Sequence, residues 1–349
     1  MVELRQILDL ARRARAAGEE VCLATVVAVE GSAYRRPGAR MLLTAGGERA
    51  GTISGGCLEA EVTKKAWWLT AQGPSLQRYS SFFDDDGDMP YGLGCGGAVV
   101  VLLERGTAAE RVLEALGRSV QERSTCVIIT NLDATHAGTE LIVNDAGEPL
   151  YSREPDDEAW TLARAALASR TSQHREGFFV EYVEPPPALF VFGAGDDTQP
   201  LVTFASQLGW HITVADGRSH LARPERFPLA ARVGGLREIL DSPGPRDAVV
   251  VMTHSYEQDR EILRALLPRE LRYLGILGPR RRTQHLIDAL APELGLAPGS
   301  CMERLHTPVG LDIGAHSPAT IALSIAAGLQ AVFAGRVAPT IVPPQPIHA

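Results

Sequence analysis

Cysteine is sparse and scattered in this chain of 349 residues. Five are present, Cys22, Cys57, Cys95, Cys126 and Cys301, odd in number and never in CxxC spacing. That pattern argues against both a disulfide framework and a structural zinc site. A basic surplus is also missing: 34 Lys and Arg face 42 Asp and Glu, for a net charge of −8. A general nucleic-acid binder would show the opposite balance, although a small anion held by a local arginine cluster is still allowed. The longest apolar run, "ATIALSIAAGLQAVFAG" at 319–335, is too short and too small-sided for a membrane span. It reads as a buried, closely packed helix. The opening "MVELRQILDLARRARAAGEE" carries acidic residues and no apolar h-region, so no signal peptide is expected and the thiols should stay reduced in a cytoplasm. No internal repeat, low-complexity tract or long charge run is evident in the sequence.

What is present is an ordinary globular composition, 45% hydrophobic and 22% charged, long enough for two or three domains. Apolar positions Leu4, Ile7, Leu8, Leu10 and Ala11 predict an amphipathic helix over 3–17. "VCLATVVAVE" reads as a strand, "MLLTAGGERAGTIS" as a hairpin-like pair, and "EAEVTKKAWWLT" as a helix. From 108 to 183 the pattern is helix, strand, strand, helix, strand. Consecutive prolines in "EPPP" (184–187) stop regular structure and stiffen a connector. They divide the chain into 1–183, a linker at 184–188, and 189–349. Beyond them, "ALFVFGAG", "WHITVAD", "DAVVVMT" and "RYLGILG" read as strands alternating with helices. That alternation implies right-handed crossovers and a parallel sheet covered on both faces. The expected fold class is α/β: an amino-terminal mixed α/β domain followed by a Rossmann-like doubly wound domain.

Two regions have the makings of a site. In "VFGAGDDTQPL", Gly193 and Gly195 follow a strand and open a helix, as a dinucleotide fold requires. Asp216 ends the next strand at about the 20-residue spacing of a ribose-binding acid. The third glycine position holds Thr198, and Asp196 and Asp197 would repel a diphosphate unless they turn away. Arg218 suits a 2′-phosphate, but pairing with Asp216 is its more ordinary role. His254, just after a strand, either meets a ligand at the carboxyl edge or sits in a helix-capping loop. Gly278 and Arg280, with the neighbouring Arg281 and Arg282, fit phosphate or carboxylate oxygens, or equally a solvated face.

In the first half, "GSAYRRPGARM" offers Arg36 and Arg40 on a glycine-bearing loop. "GTISGGC" and "GLGCGG" place Gly55 and Gly56 before Cys57, and Gly96 after Cys95. One such turn is unremarkable. Two in one domain, beside an arginine loop, point to a ligand site, because glycines give up side-chain burial and cost backbone entropy. A thiolate there would ligate a soft metal or accept sulfur. Glu61, one helical turn after Cys57, faces the same way as a proton acceptor or lies in solvent. "DDDGD" at 84–88 lacks the pattern of a calcium loop and reads as a solvated acidic loop.

The stretches "GSAYRRPGARMLL", "GTISGGCLEAEV" and "GLGCGG" resemble the signatures of the amino-terminal domain of the XdhC/CoxI family. "LFVFGAGDDTQPL", "THSYEQD", "YLGILGPRRR" and "GLDIGAHSPATIALSIAAGL" are similar to its carboxyl-terminal Rossmann domain. The resemblance spans most of residues 20–335, while 108–187 matches no such motif. It implies an accessory factor for xanthine dehydrogenase-type molybdenum hydroxylases: one that binds the molybdenum cofactor, assists its sulfuration and delivers it, without turning over a metabolic substrate. It further implies that Cys57 and Cys95 contact the molybdenum-bearing end, and that the Gly193/Gly195 turn and Asp216 hold a nucleotide or the phosphate-bearing end of the pterin. The implied partners are an apo molybdenum hydroxylase, a cysteine desulfurase and a second copy in a homodimer, with neither nucleic acid nor membrane. The alternative is an NAD(P)-linked oxidoreductase working through the Rossmann domain, with His254 as its proton donor.

Overall fold

The structure, a computed structural model, describes residues 2–56, 58–80, 97–153, 155–175 and 177–336. Cys57, Cys95, Gly96 and the acidic loop lie outside the described residues. The chain divides into two compact units, 1–185 and 186–349.

The first unit opens with α1 (Val2–Ala16), whose Ile7, Leu10, Ala11 and Ala14 form its buried face. Then follow β1 (Val21–Gly31), β2 (Arg40–Thr44), β3 (Arg49–Gly51), α2 (Glu59–Leu69), β4 (Ser75–Ser80) and β5 (Gly97–Arg105). The chain continues with α3 (Thr107–Gln121), β6 (Cys126–Asn131), β7 (Gly138–Asn144), β8 (Pro149–Ser152), α4 (Asp157–Ser169), β9 (Gln173–Arg175) and β10 (Phe178–Val183). Two antiparallel sheets result, ordered β3-β2-β1-β5-β4 and β8-β7-β6-β10-β9.

The second sheet repeats the first in element order, strand order and register. Val21 faces Thr44 as Cys126 faces Asn144, and Leu23 faces Leu42 as Ile128 faces Ile142. The buried face of α1 returns in α3 at the same spacing, as Val112, Ala115, Leu116 and Ser119. A left-handed residue follows each helix, Gly18 in one case and Arg123 in the other. The hairpin turns match as well: Gly47 and Gly147 both take positive φ, and their amides donate to Thr44 O and Asn144 O. An internal repeat that the sequence conceals is therefore plain in the fold. Few residues coincide because a strand or helix face demands only apolar character at set positions, which many sequences satisfy. Between the sheets, α1 and α3 bury one core with Leu23, Leu42, Ile128 and Ile142. The opposite faces are covered by α2 and α4 respectively.

The second unit comprises β11 (Ala188–Phe192), α5 (Thr198–Gln207), β12 (His211–Asp216), β13 (Arg232–Gly235), α6 (Leu236–Ile239) and β14 (Ala248–Val251). After these come α7 (Tyr256–Leu266), β15 (Tyr273–Ile276), α8 (Arg280–Leu294), α9 (Pro298–Glu303) and α10 (Pro318–Phe333). All strands pair in parallel, in the order β13-β12-β11-β14-β15. Successive residues of β11 alternate between two cores, Phe190 and Phe192 on one face and Leu189 and Val191 on the other. The sheet is thus covered on both sides, as its continuous apolar strands require. The apolar run at 319–335 is the buried α10, capped by Ser317 and Thr320 with Pro318 in its first turn. Among the described residues no helix is long and apolar enough to cross a membrane.

Candidate functional site

The arginine loop between β1 and β2 and the glycine turn between β3 and α2 lie at neighbouring strand ends, because β1, β2 and β3 pair in succession. Gly56 has φ +117° and its Cβ position meets nothing within 4 Å, so the need for glycine there is conformational rather than steric. Gly55 and Gly56 are both exposed. The exposed Tyr34 ring lies 3.8 Å from the Cβ position of Gly55.

The turn is braced from below by Glu59, which is 3% exposed. Its Oε1 accepts from the amides of Ile53 (3.1 Å) and Ser54 (2.8 Å), and its Oε2 from the Ser54 hydroxyl (2.5 Å). Ser54 Oγ in turn accepts from the amides of Gly56 and Leu58, each at 3.1 Å. Burial pushes the Glu59 carboxyl up, but the bonds from Ser54 and the backbone outweigh it and hold it below the usual range. The sequence points to Glu61 instead. That side chain pairs with Lys65 at 2.5 Å on the helix surface. The only signal for Glu59 in the sequence is a serine upstream of an acidic first turn.

The two arginines of this edge differ. Arg36 is exposed and has no ion-pair partner among the described residues. Arg40 is 8% exposed and forks onto Glu181 while donating to Gly38 O at 3.0 Å. Burial pulls its guanidinium down, and Glu181 more than restores it. Its donors are thus spent inside the unit. Cys22 and Cys126 are buried, which pushes both thiols up to about 12. Neither is a reactive thiol at neutral pH. Among the described residues no group of three His, Cys, Asp or Glu side chains could hold a metal ion.

At the carboxyl edge of the parallel sheet, the crevice at the topological switch lies between the ends of β11 and β14. Here Gly193 takes φ +130°, and a Cβ on it would fall 2.3 Å from Met252 O. A Cβ on Gly195 would fall 2.5 Å from Asp197 Oδ1. Both acids of the turn are neutralised: Asp196 pairs with Arg226 at 2.6 Å, and Asp197 with His254 Nε2 at 2.7 Å. His254 itself is held at φ +57°. Asp216 is 1% exposed and accepts from the Ala194 amide and from the Arg218 amide and guanidinium, at 2.8–2.9 Å. Burial raises this carboxyl, but those donors dominate and lower it. The ribose-type acid therefore braces its own glycine turn, and Arg218 takes the more ordinary of its two roles.

The structure brings Gly193, Gly195, Asp216 and His254 together. Gly278 (φ +135°) and the exposed Arg280 follow β15 at the same carboxyl edge. Arg282 is drawn away to Asp259 at 2.6 Å, and that buried acid also binds Thr253 at 2.5 Å.

Known proteins share this arrangement. The XdhC Rossmann domain matches residues 189–329, and the XdhC and CoxI family matches residues 14–80. The chain is 32% identical over 320 residues to a protein of Bacillus subtilis (strain 168) described as a probable xanthine dehydrogenase component, covering 88% of this chain and 92% of the relative. It is 26% identical over 344 residues to the molybdenum cofactor insertion chaperone PaoD of Escherichia coli (strain K12), covering 97% and 92%. A crystal structure described as a xanthine dehydrogenase from Bacillus halodurans superposes with a TM-score of 0.77 at 30% identity, covering 95% of this chain and 97% of that one. With both units accounted for and identity sustained along nearly the whole of both chains, the chain belongs to the XdhC and CoxI family.

Proposed function

We propose that this protein binds the molybdenum cofactor, assists its sulfuration, and delivers it to a molybdenum hydroxylase of the xanthine dehydrogenase type. The observation that carries this reading is the glycine-turn edge of the first unit. There an exposed Arg36, with no ion pair among the described residues, neighbours the open Gly55–Gly56 backbone, and Glu59 holds the turn rigid from inside. A cofactor that is passed on rather than kept needs such an open, preformed seat. The cargo is anionic, and Arg36 supplies the matching charge. Cys57 and Cys95 are our candidates for the molybdenum-bearing end, as soft thiolate donors. The name of the Escherichia coli relative, similar along 97% of this chain, supports the reading.

In the second unit, the Gly193–Gly195 turn with His254, Gly278 and Arg280 is our candidate for a nucleotide or other phosphate-bearing ligand. Asp216 acts there by bracing the turn. The NAD(P)-linked alternative rests on the same glycines, but a ribose diol would have to displace Arg218 from Asp216. Partners in this reading are the apo-hydroxylase, a cysteine desulfurase as sulfur source, and a second copy of the chain.

The test is to incubate purified protein with molybdenum cofactor, remove the excess by gel filtration, and measure bound molybdenum. Wild type should retain it, and Cys57→Ala, Cys95→Ala and Arg36→Ala should each retain less. Absence of molybdenum on wild type refutes the function. Full retention by all three variants refutes the site.

A further inference from the structure

The repeat within the first unit means that the edge carrying the glycine turn has a counterpart in the second sheet. The β1–β2 loop and the chain after β3 correspond to the β6–β7 loop and the chain after β8. A cavity of about 390 Å³ lies at that counterpart, within the size range of small-molecule sites. Its lining includes Asn131, Thr135, His136, Glu140 and Arg153, with Pro74 as an apolar wall.

Its charge is reversed relative to the first edge. Where β2 begins with Arg40 forked onto Glu181 of β10, β7 sets Thr139 against Glu104 of β5 through its amide (2.8 Å) and hydroxyl (3.1 Å). The next residue is Glu140, not an arginine. Glu140 is 8% exposed. Its Oε2 accepts from Asn131 Nδ2 at 3.1 Å, and its Oε1 has no hydrogen-bond partner among the described residues. A carboxylate oxygen held in a cavity with unmet acceptor capacity calls for an N–H donor. The exposed His136 ring is fixed by Thr135 Oγ1 at Nδ1 (2.8 Å), while Arg153 Nη2 holds its carbonyl (2.7 Å). That leaves the imidazole face and Nε2 for a ligand.

We propose that this cavity binds a planar heterocycle through paired N–H donors, the 2-amino-4-oxopyrimidine edge of a pterin, with Glu140 as acceptor and His136 beside the ring. The assignment rests on the cofactor reading above and gives the second half of the repeat a part in it. The donor edge of a pterin is its most distinctive feature, and a buried carboxylate reads it in two parallel bonds. A site separate from the anion-seeking edge would recognise the pterin itself rather than its charge.

The test uses 6-hydroxymethylpterin as a fluorescent probe in equilibrium titration, with lumazine, which has an oxo group in place of the 2-amino group, as comparison. Wild type should bind the pterin and should bind lumazine about tenfold more weakly or worse. Glu140→Gln, which keeps the shape, and His136→Ala, which is on the surface, should both weaken pterin binding by a similar factor while thermal melts remain close to wild type. No pterin binding, equal affinity for lumazine, or unchanged affinity in both variants overturns the proposal. Cofactor loading is measured in parallel. If wild type loads molybdenum and neither variant alters pterin affinity, this site is wrong and the chaperone reading stands. If pterin binds as expected and no molybdenum is loaded, the chaperone reading fails by itself.

Discussion

Glu59 should be worth far more than an acidic residue in a helix's first turn normally is. It is buried and accepts three hydrogen bonds, from Ile53 N, Ser54 N and Ser54 Oγ. Hydrogen bonds to a charged group contribute about 1.5–3 kcal/mol each, and a donor left buried without a partner costs its desolvation. Three bonds sharing one carboxylate do not add independently. We therefore expect Glu59→Ala to destabilise the first unit by about 3–5 kcal/mol, the range reserved for a broken buried network. Glu59→Gln retains one acceptor but turns an amide donor toward other donors, for a loss of about 2–3 kcal/mol. Urea unfolding followed by circular dichroism measures this, with the two units fitted as separate transitions. The pH dependence has a defined sign. Glu59 is lowered from its usual 4.5 in the folded state, so its contribution is complete above that value and is lost as pH falls through the lowered one. The gap between wild type and Glu59→Gln should be full at pH 7 and close in acid. If both variants lie within about 0.5 kcal/mol of wild type, the level of a neutral surface change, then Glu59 does not brace the turn.

Gly193→Ala places a methyl 2.3 Å from Met252 O at φ +130°, and should cost the second unit about 3 kcal/mol or more in the same urea experiment. NAD and NADP at millimolar concentration should leave the melting temperature unchanged, because Asp216 is already engaged by Arg218; a clear rise would show that the pair opens for a ribose. Glu104 behaves oppositely to Glu59. Burial raises its carboxyl above the usual value against the pull of Thr139 and the nearby arginines, so its contribution is complete below about 4.5 and lost as pH climbs through the raised value. Glu104→Gln should accordingly melt about 2–4 °C higher than wild type at pH 7, corresponding to about 1 kcal/mol, and match it near pH 4; equal melting at both values refutes the assigned shift.

Much of this architecture is readable from local pattern. The face of α1, the strands β1, β11, β12, β14 and β15, and the capped helix at Pro318 follow from apolar periodicity and turn chemistry over a few residues. Short strands at sheet edges escape that reading. β8, β9 and β13 have three or four residues, mostly exposed, and exist because a neighbouring strand offers its free amides and carbonyls. The repeat escapes it too, since it is kept as a pattern of burial and register rather than as residues.

The candidate site divides along the same line. The glycines at 55, 56, 193 and 278 announce their positions, because positive φ and close approach are properties of the backbone that few other residues tolerate. Which charges are free to meet a ligand is settled over long stretches of chain. Arg36 and Arg40 are four residues apart and look alike on paper, yet Glu181, brought in by β10, takes one and leaves the other exposed. Glu59 and Glu61 differ only in which side of α2 they occupy, and the fold buries the first under the turn and pairs the second with Lys65. Local sterics and periodicity are enough to specify the Rossmann unit, the strand and helix faces and the glycine turns, and all of these are written in short runs of residues. The partners of Arg40, Asp216 and Glu59, and the doubling of the first unit, come from the folded chain alone, because a charge is satisfied by whatever the whole chain brings within about 3 Å of it.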